Sequence, residues 1–538
     1  MKNRKSGVVL RVAISLVLCV AVLLTLILAA GQPATPAVQP AEGGIYTPGT
    51  YTGEGEGFGG AVTVEITVDA NSITDVKISG DGETPNIGGA AMEELAEQVK
   101  TAQGAESDGV SGATFTSDGV KEAAAAAIAA AKGGSSGETP SASGSSEAVV
   151  ITRVADVSIP AVPAVTTDRA YGVVSAEEWS SHYPEIYASW KATENNRGTD
   201  GSRIAYTEQD PDIQILYQGM GFAFDYTEAI GHVYTLQDIE ETTHPHKLAN
   251  CLTCKTPDYT ALVNDMGAAA YSLDFEEVYA QVSESVSCYS CHGNTPGTMV
   301  IEHDYTRDAM GDEVAAGTMD PIDVSCGQCH IEYYFDPETR ATRAPYDSPS
   351  NYDPDSILAF YNEMGFVDYT NENTGVGQIK VQHPEFETYT GAGSVHAGTF
   401  NCADCHMGVA YAADGTAYVN HEFTMPQDNA VLMESTCAAC HDDLSGMIRD
   451  IQTEIRGREN EISAMLVEIN RKLAAAIEEG TLSGEDLDKV RALDRDAQFY
   501  WDFVYVENSE GVHNSKLSRA CLDKAESLAK EALALLEG

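Results

Sequence analysis

Residues 251–255 read Cys251-Leu-Thr-Cys254-Lys255. Four further stretches share the spacing but end in histidine: Cys288-Tyr-Ser-Cys291-His292, Cys326-Gly-Gln-Cys329-His330, Cys402-Ala-Asp-Cys405-His406 and Cys437-Ala-Ala-Cys440-His441. Two thiols three residues apart can form thioethers to the vinyl groups of a haem, and the residue that follows then ligates the iron. These stretches take ten of the twelve cysteines, leaving Cys19 in an apolar run and Cys521 in a helical one. Zinc is the competing reading of paired cysteines. It fails because four pairs carry an immediate histidine, and because five pairs do not group into four-cysteine sites. Five haem c groups are therefore expected, one of them with a lysine ligand. An iron ligated differently from its four neighbours has a different task, so Lys255 marks the expected reactive centre.

Histidine counting sharpens this. Of thirteen histidines, four follow cysteine pairs and nine remain. Electron-transfer haems commonly take a second axial ligand, so four of the nine are expected to serve them. The lysine-ligated iron then keeps one face open for substrate, as a catalytic metal must.

The 538-residue chain is long enough for two or three domains, and 31 basic against 82 acidic residues give a net charge of −51. That charge argues against nucleic acid and anionic membrane surfaces as partners. It leaves room for a small anionic substrate, because salt screens the global field beyond roughly 8–10 Å. Lys2, Arg4, Lys5 and Arg11 precede an uncharged apolar run over residues 12–30. Its length approaches the ~20 residues that span a bilayer, so residues 1–30 read as a signal or membrane anchor with the bulk of the chain outside the cytoplasm. Residues 31–44, rich in proline and alanine, and residues 133–148, rich in glycine and serine, read as linkers.

Between the linkers, residues 45–132 form a small α+β domain. Alternation over residues 61–68 and 73–78 predicts strands; helices follow near 92–101 and over the alanine-rich 118–131. Residues 149–538 form a mainly α domain whose loops surround haems as far as residue 407. Long helices follow over 443–479, 483–506 and 516–536. In the first, Met447, Ile451, Ile455, Ile462, Leu466 and Ile469 recur near the helical period. Such a stripe suits either a bundle within the chain or a helix of a second copy, hence a homodimer.

Two family resemblances follow from these residues. Asp108-Gly-Val-Ser-Gly-Ala-Thr114 resembles the flavin-attachment motif of FMN-binding domains in exported electron carriers. It implies FMN held covalently through a phosphoester on Thr114, where the N-terminus of the following helix favours a phosphate. The large domain resembles the pentahaem, ammonia-forming cytochrome c nitrite reductases. The carrying segments are Gly231-His232, the Lys255 motif, Cys326-Gly-Gln-Cys-His-Ile-Glu-Tyr-Tyr-Phe335, Lys380-Val-Gln-His-Pro-Glu385, His396 and Gly511-Val-His513.

That resemblance implies Lys255 on the active-site iron, with Tyr333 and His383 lining the distal pocket and aiding proton delivery. It implies calcium held by Glu332, the Tyr333 and Lys380 backbones and Gln382, a hard-oxygen set suited to that ion. It assigns His232, His396, His421 and His513 as second haem ligands, and the sequence leaves open which serves which haem. A quinol-linked or exported donor is the implied source of electrons. One position departs from the family: an arginine that holds the anionic substrate is replaced by Ile230. A cation from elsewhere, such as Lys247 or Arg307, could replace it. Otherwise the pocket reduces another small oxidant, such as hydroxylamine or sulfite, or the chain only conducts electrons.

Overall fold

The computed structural model describes residues 46–56, 61–80, 88–105, 114–132, 153–196, 204–221, 227–242 and 247–537. The apolar leader, both linkers and residues 108–113 of the flavin motif lie outside them. The chain divides into two compact units, residues 1–147 and 148–538.

In the first unit, strands β1 (Gly49–Glu56), β2 (Ala61–Val68) and β3 (Ile73–Ser79) form an antiparallel sheet in sequence order. Val62, Val64, Ile66 and Val68 of β2 are all buried, as period-2 alternation requires. Helices α1 (Gly88–Ala102) and α2 (Thr114–Ala131) cover the buried face with Leu95, Val99, Val120, Ala123 and Ala127. β1 was not expected from its sequence, GTYTGEGE, which lacks β-branched alternation. Its glycines serve close approach instead. A Cβ on Gly53 would lie 2.1 Å from the Ala123 carbonyl oxygen, and one on Gly55 would lie 2.2 Å from that of Gly119. α2 also begins at Thr114 rather than 118, so the flavin-motif threonine is the first helical residue.

The second unit is mainly helical, with strands confined to short ribbons such as Tyr334–Phe335 paired with Thr342–Arg343. Its long helices are α3 (Leu444–Glu479), α4 (Glu485–Tyr505) and α5 (Ser515–Glu537). Asp443 caps α3 by accepting from the Gly446 N–H, and Gly480, in the left-handed region at φ 68°, ends it. The apolar stripe of α3 meets α4 and α5 of the same chain. Ile455, Ile462, Leu466 and Ile469 pack in one core with Phe499, Trp501 and Phe503 and with Leu522, Ala525 and Ala529. Phe499 and Phe503 each contribute roughly 1.5–3 kcal/mol by burial. Trp501 Nε1 donates to the Glu459 carbonyl at 3.0 Å, locking α4 onto α3. The link between α4 and α5 carries Glu507 and His513 and is therefore held rigidly at both ends.

Candidate functional site

The attachment motifs fold as single tight turns. Cys288–His292 and Cys402–His406 are short helices, Cys326 lies in the last turn of the helix Pro321–Gly327, and Ala249–Leu252 and Cys437–Ala439 are 3₁₀ turns. A helical turn sets thiols i and i+3 on one face, as two bonds to one porphyrin edge require. None of the ten cysteines is in a disulfide. Cys254 and Cys329, from two different turns, lie with His303 close enough to suggest a metal site, their ligand atoms within 4.8 Å of one another. His303 is already committed, however. Its Nδ1 lies 2.9 Å from both the Tyr305 hydroxyl and the Gln328 carbonyl, and Nε2 lies 3.2 Å from Thr260 Oγ1.

Each motif histidine faces a second histidine, and His330 faces two, His232 and His383. Ring centroids are 6.5 Å apart for His330 and His232, 6.4 Å for His292 and His421, 5.8 Å for His406 and His513, and 6.0 Å for His441 and His396. Two imidazoles on opposite sides of one metal, each nitrogen ~2.0–2.1 Å away, put their centroids roughly 6–6.5 Å apart. Three of the four spacings fall in that range and the fourth, 5.8 Å for His406 and His513, lies just below it, as a haem iron between the rings requires. Gly231, at φ 129°, makes the turn that aims His232.

Burial pushes His232 down to about 3 and His406 and His421 down to about 4, so these rings are neutral at physiological pH, the form that ligates metals. His330 and His513 go the other way. Burial would lower each, but a carboxylate outweighs it: Glu385 beside His330 and Glu507 beside His513.

Tyr333 lies near enough to Cys254 and Cys251 of the Lys255 turn to feel their charge, and burial raises its hydroxyl well above the usual tyrosine range. His383 packs against His330 at 6.3 Å between centroids. Its Nδ1 is buried without a hydrogen-bond partner among the described residues, 3.8 Å from Glu385 Oε1. A tyrosine that stays protonated and an imidazole oriented by a carboxylate, set between two attachment turns, can hold and pass protons.

The sequence pattern of the cytochrome c552 family matches residues 175–537. The chain belongs to that family. An FMN-binding domain pattern matches residues 57–129. Among solved structures, the cytochrome c nitrite reductase of Desulfovibrio desulfuricans, a catalytic subunit described with two calcium sites, superposes with a TM-score of 0.59. At 23% identity it covers 69% of this chain and 87% of its own, and it fixes the fold of the large unit. An outer cell wall cytochrome covers 60% of this chain and 50% of its own at 19% identity and a TM-score of 0.32. The undecahaem S-layer cytochrome of Carboxydothermus ferrireducens covers 57% of this chain and 41% of its own at 18% identity and a TM-score of 0.30.

In this cytochrome c552-family chain the residues named for calcium lie together. Glu332 is fully buried; its Oε1 accepts from the Tyr361 hydroxyl at 2.8 Å and its Oε2 from the Gln382 N–H at 2.6 Å. The Gln382 side-chain amide is 2.8 Å from the Lys380 carbonyl. Glu387 adjoins them, its Oε1 accepting from the Glu332 N–H while its buried Oε2 has no partner among the described residues. Burial raises Glu332 and pushes Glu387 up to about 8. Two buried carboxylates beside a converging carbonyl and amide fit a hard divalent cation.

Several residues at the site carried no signal in the sequence. Asp502 of α4 pairs with Lys380 Nζ at 3.1 Å and accepts from the Val381 N–H, so the Lys380 backbone is held by a helix 122 residues away. Ile230 is 6% exposed and apolar. The cations suggested as its substitutes are engaged elsewhere. Lys247 donates to the Glu240 carbonyl and lies over Phe275, and Arg307 donates to the Ile301 and Glu302 carbonyls. Among the described residues no helix is long and apolar enough to cross a membrane; residues 12–30 lie outside them.

Proposed function

We propose that this chain reduces nitrite to ammonium, with Lys255 on the active-site haem and His232–His330, His292–His421, His406–His513 and His396–His441 as the axial pairs of four transfer haems. The observation that carries the reading is the pairing of every motif histidine with a second histidine, which makes the Lys255 turn the exception. When bound, the haems would relay the donor's electrons and offer an open iron for this chemistry. The chain's own residues do the rest. The Cys251 and Cys254 thiols and Lys255 hold that haem, Tyr333 and His383 donate hydrogen bonds and protons, and Glu385 orients His383. Glu332, Gln382 and the Tyr333 and Lys380 backbones hold calcium, which stiffens the segment bearing His383.

FMN on Thr114 and a quinol-linked or exported donor feed the haems. The chain acts outside the cytoplasm, tethered by residues 1–30, and pairs with a second copy through its long C-terminal helices. The deciding measurement is ammonium formed from nitrite by the haem-loaded full chain with reduced viologen. No ammonium sinks the reading. Faster turnover of hydroxylamine or sulfite moves it to another small oxidant, which Ile230 would explain.

A further inference from the structure

The imidazoles assigned to haem iron differ in what their outer nitrogen touches. Nδ1 of His292 lies 3.0 Å from the Thr298 carbonyl, Nδ1 of His406 3.1 Å from the Thr424 carbonyl, and Nδ1 of His421 2.8 Å from the Val419 carbonyl. All three partners are neutral. Nδ1 of His513 instead lies 2.6 Å from Glu507 Oε1.

Glu507 is built to stay there. It is 2% exposed. Its second oxygen accepts from Ser509 Oγ at 2.6 Å, and the same Oγ accepts from the His513 N–H at 2.9 Å. Glu507, Ser509 and His513 thus close a small ring in the link between α4 and α5. A purely structural role, tying the turn together, would be met equally well by glutamine.

We infer that Glu507 is a positioning residue that sets the redox potential of the His406–His513 haem below that of the His292–His421 haem. The inference rests on the axial assignment above. An anion accepting from Nδ1–H makes the imidazole a stronger donor to iron. A fixed negative charge in a buried site also favours the ferric over the ferrous form, and low dielectric strengthens both effects. The His292–His421 haem has carbonyls on both rings and lacks this bias. The two haems would therefore differ in driving force by design of their second partners, with no change of axial ligand.

The test is a spectropotentiometric titration of the haem-loaded full chain, followed by electron paramagnetic resonance, comparing native protein with E507Q. One bis-histidine step should move to higher potential by on the order of tenfold in its ferric/ferrous equilibrium, about 59 mV for one electron, while the others stay in place. E507D, which keeps the charge but shortens its reach, should move the same step by less. A fully haem-loaded E507Q whose steps all coincide with native overturns the inference. If E507Q does not take up its haems, an unmoved step in E507D does the same. H513A separates the two claims: it should convert one low-spin signal to high-spin, and if it does not, the axial assignment is at fault rather than Glu507.

Discussion

Glu385 Oε1 lies 3.8 Å from His383 Nδ1. Its other oxygen lies 3.9 Å from Nδ1 of His330, so one carboxylate stands within ion-pair range of both rings. Burial alone would raise Glu385, but its contacts with these two rings hold it below the usual carboxylate range and keep it charged. Asn508 Nδ2 donates to Oε1, the oxygen nearer His383. Glu385→Gln should lower kcat for nitrite roughly ten- to a hundredfold with little change in KM, since it disturbs proton delivery rather than binding. Steady-state kinetics on fully haem-loaded protein decide this; an unchanged kcat would remove Glu385 from the mechanism.

Calcium should act on stability with a definite pH dependence. Burial raises Glu332 and Glu387, the latter to about 8, so without a cation the folded chain holds protons that the unfolded chain has released. Their contribution is therefore present at acid pH and lost as pH rises from the ordinary glutamate value toward 8. A bound cation reverses this by favouring the ionised forms. Calcium at a hundredfold excess over its Kd should add about 2.7 kcal/mol, with a larger rise in Tm at pH 8 than at pH 5. Thermal melts with and without chelator test this, and Glu332→Gln should abolish the calcium response. A melt indifferent to calcium at both pH values would exclude the site.

Asp494 gives a second pH signature. It is 1% exposed on α4, and burial pushes it up to about 7 against the lowering effect of Gln378, whose Nε2 donates to it at 3.2 Å. The folded state keeps this proton after the unfolded state has lost it, so stability falls as pH climbs from about 4 to about 7. Asp494→Asn should flatten that fall and stabilise the protein at pH 8 by on the order of 1–4 kcal/mol. Denaturant melts across this range suffice, and an unaltered slope would mean that Asp494 is charged in the fold.

What the sequence disclosed and what it hid divide along contact distance. Cys-x-x-Cys turns and the apolar stripe of α3 are local patterns, and they gave the haem turns and the C-terminal helices to within a residue or two. Strand β1 was hidden because its glycines exist to admit α2, a contact between residues 70 apart, Gly53 and Ala123. The partner of each motif histidine was equally hidden: His406 and His513 meet across a hundred residues of intervening chain. Glu507 and Asp502 are two among 82 acidic residues, and nothing but their position in space sets them apart.

Flavin attachment is testable without any enzyme assay. Thr114 opens α2, where the helix dipole favours a phosphate. Denatured and washed protein should retain flavin fluorescence, and Thr114→Ala should abolish it while leaving the haem spectrum intact. Fluorescence that survives the substitution would place the attachment on another residue.

Ile230 bears on which oxidant is reduced. Its side chain is buried directly before Gly231, whose positive φ aims His232, so residue 230 is held at a fixed place beside that histidine. Isoleucine offers neither charge nor a hydrogen bond to an anion, and Lys247 and Arg307 are bound to backbone carbonyls. If nitrite is the substrate, Ile230→Arg adds a charge-assisted hydrogen bond, a gain on the order of 1.5–3 kcal/mol and so a fall in KM of roughly ten- to a hundredfold. Ile230→Met, similar in volume and uncharged, should leave KM as it is and separates charge from repacking. Hydroxylamine, neutral at assay pH, should gain nothing from the arginine. An Ile230→Arg protein that folds, takes up its haems and binds nitrite no better than native would mean that the anion is held without a cation at this position.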